Sequence, residues 1–247
     1  MTARVRLDEL LVRRGLVASR SRGADAIRRG AVTVDGTLAR KAGQPVAENV
    51  RIEIDDAAAG YVSRAALKLR HALKTFSFDP SDCRCLDIGA STGGFTQVLL
   101  EHGAGHVTCV DVGRDQLADR LRDDPRVTLL EGTDARKLTR ALVPEPVTVL
   151  VADVSFISLT KALPAVLELS APGAWLVALI KPQFEVGPAH VGKGGVVRDE
   201  TARNEAVARV RDWLGGQSGW RVTGCIASPI KGGEGNVEFL LGAEKTS

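Results

Sequence analysis

Four acids and one amine stand where an open α/β fold does its chemistry. Asp87, Asp111, Asp134, Asp153 and Lys181 sit at or just beyond the carboxyl ends of apolar runs, the edge along which such sheets bind ligands. In CLDIGASTGGFT, Asp87, Gly89, Gly93 and Gly94 give the spacing D-x-G-x-x-x-G-G. Glycines at a strand-to-helix turn admit positive φ and let backbone N–H groups come close to a ligand. This is not the G-x-G-x-x-G pattern that serves a pyrophosphate. A ligand without phosphate, held partly by carboxylates, fits better, and S-adenosylmethionine is such a ligand. Its amine can meet Asp87, its ribose hydroxyls Asp111 and its adenine amino group Asp134, with Ser91, Phe95 and Ala135 completing the expected contacts.

Asp153 and Lys181 follow the fourth and fifth apolar runs, VTVLVA and AWLVALI. A lysine in that position is either a strand-end snorkel or a working amine, and an acid on the adjoining edge favours the amine. Asp153 would then serve both the cofactor and the reacting centre. Lys68, in SRAALKLRHAL, and Glu238, in GNVEFLLGA, say less alone, because solvated lysines and acids are common on helices and hairpins.

The elements that must position these residues read as alternating strands and helices from Tyr61 onward. Strands are expected near 83–88, 107–111, 127–131, 147–153, 174–181, 220–228 and 236–243, with helices near 94–102, 115–122, 135–142, 158–170 and 200–215 and one starting near Ser63. That alternation implies a parallel sheet covered on both faces. Only the loop 229–236 joins the last two strands, so the seventh is expected to be antiparallel. The fold class is α/β: a seven-stranded Rossmann-like sheet of the S-adenosylmethionine methyltransferase kind, behind a small α+β N-terminal domain.

That first domain carries the basic excess. Residues 1–51 hold 11 Lys/Arg against 5 Asp/Glu, while the whole chain is only +3, a local pattern suited to a polyanion. Leu7, Leu10 and Leu11 recur at helical spacing, and Ser19 or Ser21 can cap a second helix ended by Gly30. Val32 and Val34 then alternate into Asp35-Gly36, a hairpin dipeptide. Arg4, Arg6, Arg13, Arg14, Arg20, Arg22, Arg28 and Arg29 are the candidate phosphate contacts. The expected boundaries are 1–56, a linker 57–62, and 63–247.

Other classes are disfavoured. No apolar run approaches the roughly 18–20 residues of a membrane span, and MTARVRLDEL has no secretory core, so a cytoplasmic location is expected. Cys83, Cys85, Cys109 and Cys225 match neither a zinc spacing nor a disulfide framework and read as buried small hydrophobes, with no metal expected.

The segments RLDELLVRRGLVASR, SRxxxKL at 63–69, LDIGASTGGFTQVLL, ADVSFISL, KPQFEVG, GGVVRD and GNVEF resemble the hemolysin A, or TlyA, family of RNA 2′-O-methyltransferases over nearly the entire chain. The resemblance implies a Lys-Asp-Lys-Glu tetrad of the FtsJ type on Lys68, Asp153, Lys181 and Glu238. It also implies an S4 RNA-binding domain at the N-terminus. The implied partner is ribosomal RNA or a ribosomal subunit, with cytidine ribose as target and no obligatory protein partner. Lys181 would accept or direct the 2′-hydroxyl proton, or act as a cation on the developing alkoxide. The sequence departs from the family at Ala65-Ala66, where at least one Gly is usual, at Arg114-Asp115 in place of an aromatic-Gly pair, and at Tyr61 in place of tryptophan. The alternative reading is an RNA-binding ribosome-assembly factor with a weakly active or inactive methyltransferase domain. A pore-forming haemolysin lacks any supporting segment. Base methylation is disfavoured because DVSF is neither a cysteine nucleophile nor an Asn/Asp-Pro-Pro-Tyr run.

Overall fold

A computed structural model describes residues 4–28, 30–56 and 58–246, and the chain divides into two compact units, Met1–Tyr61 and Val62–Ser247. Arg29, and Ala57 at the start of the expected linker, lie outside the described residues.

The first unit contains β1 (Arg4–Arg6), α1 (Leu7–Arg13), α2 (Arg20–Arg28), β2 (Val32–Val34), β3 (Thr37–Leu38), β4 (Pro45–Ala47) and β5 (Ile52–Ile54). Leu7, Leu10 and Leu11 pack with Ala26, Ile27 and Val32 in one apolar cluster, as their helical spacing predicts. Ser19 Oγ accepts from Arg22 N at 3.2 Å at the start of α2. Asp35 (φ 49°) and Gly36 (φ 74°) both take the left-handed conformation that a two-residue hairpin turn demands. β1 and β4 pair antiparallel; three residues each are too few to show alternation in the sequence.

The second unit runs α3 (Ala65–Phe76), β6 (Arg84–Ile88), α4 (Gly94–Glu101), β7 (His106–Asp111), α5 (Asp119–Arg122), β8 (Val127–Glu131), β9 (Val147–Ala152), α6 (Leu159–Ala162), α7 (Pro164–Glu168), β10 (Ser170–Ile180), α8 (Pro182–Glu185), α9 (Glu200–Gly215), β11 (Trp220–Ala227) and β12 (Phe239–Lys245). The seven strands lie in the order β8-β7-β6-β9-β10-β12-β11. β12 is antiparallel to both neighbours, and the pairs from β8 through β10 are parallel. The order reverses between β6 and β9, which makes that junction the switch point where such sheets bind ligands. Leu86, Leu150 and Leu176 at the centre of the sheet are fully buried.

Several expected elements are shorter than their apolar patterns suggest. The helix expected over 115–122 begins only at Asp119, because Asp115 takes φ 54° and Ala118 is extended (ψ 136°). That over 135–142 is a single 3-10 turn, Ala135–Lys137; Leu138 (ψ 139°) leaves the helical region and buries its side chain. Pro164 divides 158–170 into α6 and α7 by starting the second helix, where its missing N–H is harmless. The last strand starts at Phe239, so Glu238 stands at its mouth rather than within it.

Candidate active site

The carboxyl ends of β6, β7 and β9 open on a cleft of about 910 Å³, lined by Gly89, Ser91, Asp111, Asp134, Ala135 and Asp153 among others, a volume suited to a nucleoside-sized ligand. Gly89 takes φ +79°, and a Cβ there would stand 2.7 Å from Asp153 O, so the turn can pass only with glycine. Gly93 caps α4, and a Cβ on Gly94 would come within 2.9 Å of Ser63 Cβ. Asp111 accepts from Ser91 N and Gly113 N, each at 2.8 Å, which aims its carboxylate along the cleft. The Asp134 carboxylate accepts from the Arg136 guanidinium and backbone N–H, which holds its pKa at about 2.

Asp87 lies in β6, one residue before its carboxyl end. It is fully buried behind the glycine turn and lines neither this cleft nor the smaller cavity beside it. One oxygen accepts from Thr96 Oγ1 at 2.7 Å, and Thr96 Oγ1 is 3.0 Å from Cys109 Sγ. Burial pushes the Cys109 thiol up to about 12, so the S–H donates to Thr96 and Thr96 to Asp87. Asp87 Oδ1 has no hydrogen-bond partner among the described residues. Burial raises the carboxyl to about 7, against the lowering effect of Thr96.

A smaller cavity of about 160 Å³ shares Gly89, Ser91, Asp153 and Ser155 with the cleft and adds Ala65, Phe95 and Lys181. Lys181 Nζ is 2.7 Å from Asp153 Oδ1 and donates to Ser155 Oγ at 2.8 Å. Register brings in the fourth member of the tetrad. Ile180 pairs with Phe239 across the antiparallel strands β10 and β12, so Lys181, just after β10, and Glu238, just before β12, stand at one edge. Glu238 Oε2 then meets Lys68 Nζ at 2.6 Å, with both side chains at least 93% buried. The four residues thus form two ion pairs: Lys181–Asp153 at the cavity, and Lys68–Glu238 in the interior. The Ala65-Ala66 departure is accommodated, with Ala65 lining the small cavity and Ala66 fully buried. Arg114 lies over Gly132, where a Cβ would stand 2.5 Å from its guanidinium.

Three contributors escaped the reading of the sequence. Glu185 accepts from Ser158 Oγ (2.6 Å) and Leu159 N (2.8 Å), tying α8 to the start of α6 and clamping the loop after Asp153. Asn236, 2% exposed, accepts from Val197 N and donates to Gly195 O, which locks GNVEF to GGVVRD. Phe156 is 91% exposed at φ 65°, with its ring tilted against Phe184 at 5.1 Å. A bulky residue held left-handed and bare of cover at a cleft is the kind of outlier that function maintains. The quoted run DVSF was the available signal for it.

In the first unit, Arg4, Arg6, Arg13, Arg14, Arg20 and Arg28 are exposed and Arg22 is half-buried. Most already have partners within the unit: Arg13 pairs with Glu48, Arg28 with Asp25, and Arg14 donates to the carbonyls of Glu48 and Val50. Arg22 donates to Tyr61 O. Arg6 and Arg20 converge on Asp8.

No helix among the described residues is long and apolar enough to cross a membrane. The family model for FtsJ-like methyltransferases matches residues 61–245, and that for the S4 domain residues 5–52. The chain is 47% identical, over 98% of its length and 90% of the relative's, to the 16S/23S rRNA (cytidine-2'-O)-methyltransferase TlyA of Mycobacterium tuberculosis. It is 40% identical to Hemolysin A of Brachyspira hyodysenteriae, over 96% of this chain and 98% of that one. A solved structure from Streptococcus thermophilus, described as a candidate hemolysin, superposes with TM-score 0.75 at 36% identity, covering 100% of this chain and 90% of its own. A Listeria monocytogenes structure at 16% identity (TM-score 0.51, covering 74% and 100%) shares the fold alone. On the sheet order, the glycine turn and these matches together, the chain belongs to the FtsJ-like methyltransferases, alongside its TlyA and hemolysin A relatives, and carries an S4 domain at residues 5–52.

Proposed function

We propose that this protein transfers a methyl group from S-adenosylmethionine to a ribose 2′-hydroxyl of ribosomal RNA, at cytidine, in the cytoplasm. The observation that carries the reading is the Lys181–Asp153 pair, 2.7 Å apart, in a cavity that shares Gly89, Ser91, Asp153 and Ser155 with the nucleoside-sized cleft. The cofactor supplies an activated methyl group on a sulfonium. Asp111 and Asp134 would hold its ribose and adenine, and the glycine turn its amino-acid end. The fit is supported by the volume of the cleft and by the buried, unpartnered oxygen of Asp87 behind the turn. Lys181 takes the 2′-hydroxyl proton as it passes one of its own to Asp153, which neutralises the carboxylate and keeps the positive charge on the ammonium beside the attacking oxygen. Incubating the protein with methyl-labelled cofactor and ribosomal subunits, then mapping ribose-blocked nucleotides, tests the assignment. Absence of ribose methylation on every RNA offered would sink it.

Phe156 offers an open aromatic face beside the reacting centre, on which an unstacked nucleobase can rest. Base–aromatic stacking contributes about 1–3 kcal/mol, so Phe156→Ala should lower kcat/KM for RNA by roughly fivefold to a hundredfold, well beyond any loss of cofactor affinity from its place in the cleft lining, with Tm unchanged. Equal losses in RNA turnover and cofactor binding would assign Phe156 to the cofactor instead.

Asp87 gives the pH dependence. Its value of about 7 in the folded protein exceeds the ordinary carboxylate value. Its contribution to stability is therefore complete below that ordinary value and is lost as pH rises through about 7. A cationic ligand favours the ionised form, so cofactor affinity should rise with pH, by up to about tenfold per unit, and level off above about 7. Calorimetry across that range checks the slope, which Asp87→Asn should flatten.

A further inference from the structure

Asp8, the second residue of α1, is 5% exposed although it carries a charge. Its Oδ1 accepts from Arg6 Nε at 3.0 Å and Glu9 N at 2.9 Å, and its Oδ2 from Arg6 Nη2 at 2.9 Å and Arg20 Nη2 at 3.2 Å. The two arginine side chains remain 52% and 56% exposed. Behind the Arg6 guanidinium lies Gly43, where a Cβ would stand 2.8 Å from Nη1 and 2.9 Å from Cζ. The backbone beside Gly43 is tied to α1 by Leu7 N to Gln44 O (3.0 Å) and Asp8 N to Ala42 O (2.9 Å). Arg6 is therefore held between a carboxylate and a stretch of backbone with no side chain.

Two guanidinium groups repel one another unless an anion lies between them, and a free arginine loses rotamer entropy when it grips a ligand. A shared carboxylate removes both obstacles in advance. Asp8 uses two of the N–H donors of Arg6 and one of Arg20, leaving the remainder of each five-donor fork for an anionic ligand. The Arg6 hydrogen bonds, against burial, hold the Asp8 carboxyl at about 2, so it stays ionised at working pH.

We infer that Asp8 is a positioning residue for RNA: it holds Arg6 and Arg20 side by side as one preassembled receptor for a phosphodiester, with Gly43 making room for the Arg6 guanidinium. The inference rests on the reading of this protein as RNA-binding. It opposes simple charge counting, because Asp8→Asn makes the unit more positive and by charge alone should tighten RNA binding.

The test is fluorescence anisotropy of the full chain with a fluorescein-labelled RNA stem–loop at fixed salt, with thermal unfolding run on every variant. Asp8→Asn should weaken binding roughly tenfold, the entropy of two unrestrained arginines. Gly43→Ala, which alters no charge and sits at an ordinary φ, should weaken it in the same direction by displacing Arg6. In an Arg6→Ala/Arg20→Ala background, Asp8→Asn should add nothing. Unchanged or tighter binding by folded Asp8→Asn, or an undiminished loss in that background, overturns the inference. Should Asp8→Asn fail to fold, wild-type affinity in Gly43→Ala overturns it. If the double arginine variant binds as tightly as wild type, the RNA-binding role of these arginines falls, and this inference with it. If that variant weakens binding while Gly43→Ala and Asp8→Asn do not, only the positioning role falls.

Discussion

Lys181→Ala should lower the rate of ribose methylation by about a hundredfold to ten-thousandfold, the usual contribution of a positioned acid–base group, with cofactor Kd within a few fold of wild type. The separation follows from the geometry. Lys181 is held by Asp153 and Ser155 at the smaller cavity, whereas Asp111, Asp134 and Ala135 line the larger cleft. Asp153→Asn should cost comparably in turnover and also disturb cofactor binding, because Asp153 lines both cavities. Single-turnover transfer to ribosomal subunits, with calorimetry on the same samples, measures both effects. Near wild-type turnover in Lys181→Ala would remove the amine from the mechanism. A parallel loss of cofactor binding would make it a structural support of the cleft.

The second large effect is on stability. Lys68 and Glu238 form a buried pair at 2.6 Å, and taking away one partner leaves the other charged in the interior. Such changes cost about 3–5 kcal/mol, so Glu238→Gln and Lys68→Met should each lower Tm sharply. The double variant Lys68→Met/Glu238→Leu should recover much of that stability, since a well-packed apolar replacement of a buried pair is often neutral. If the pair also serves the reacting centre, the double variant will be folded and inactive. Recovery of both stability and turnover would show it to be structural only. Thermal unfolding and methyl transfer on the three variants decide between these outcomes.

The cleft was legible because its signals are local. D-x-G-x-x-x-G-G, the apolar runs ending in Asp111 and Asp153, and the helix-free connection before the last strand are all read from neighbouring residues, and the sheet carries each of them. Helix lengths were less legible. Whether 115–122 or 135–142 continues as helix depends on the left-handed φ at Asp115 and the burial of Leu138, neither of which periodicity reports. The burial of Asp87 escaped the sequence for a similar reason. Its position at a strand end was visible, but its burial behind the turn comes from packing against Thr96 and Cys109.

What the residues determined by themselves is the kind of fold, the order of its elements and the edge where chemistry gathers, since strand, turn and charge patterns act over a few positions. Which charges pair was settled only in three dimensions. Lys68 reaches Glu238 across 170 residues, and Asp8 holds Arg6 together with an arginine twelve positions on. Coulombic pairing and burial depend on distance through space, and the strand register that creates those distances is itself a product of the folded sheet.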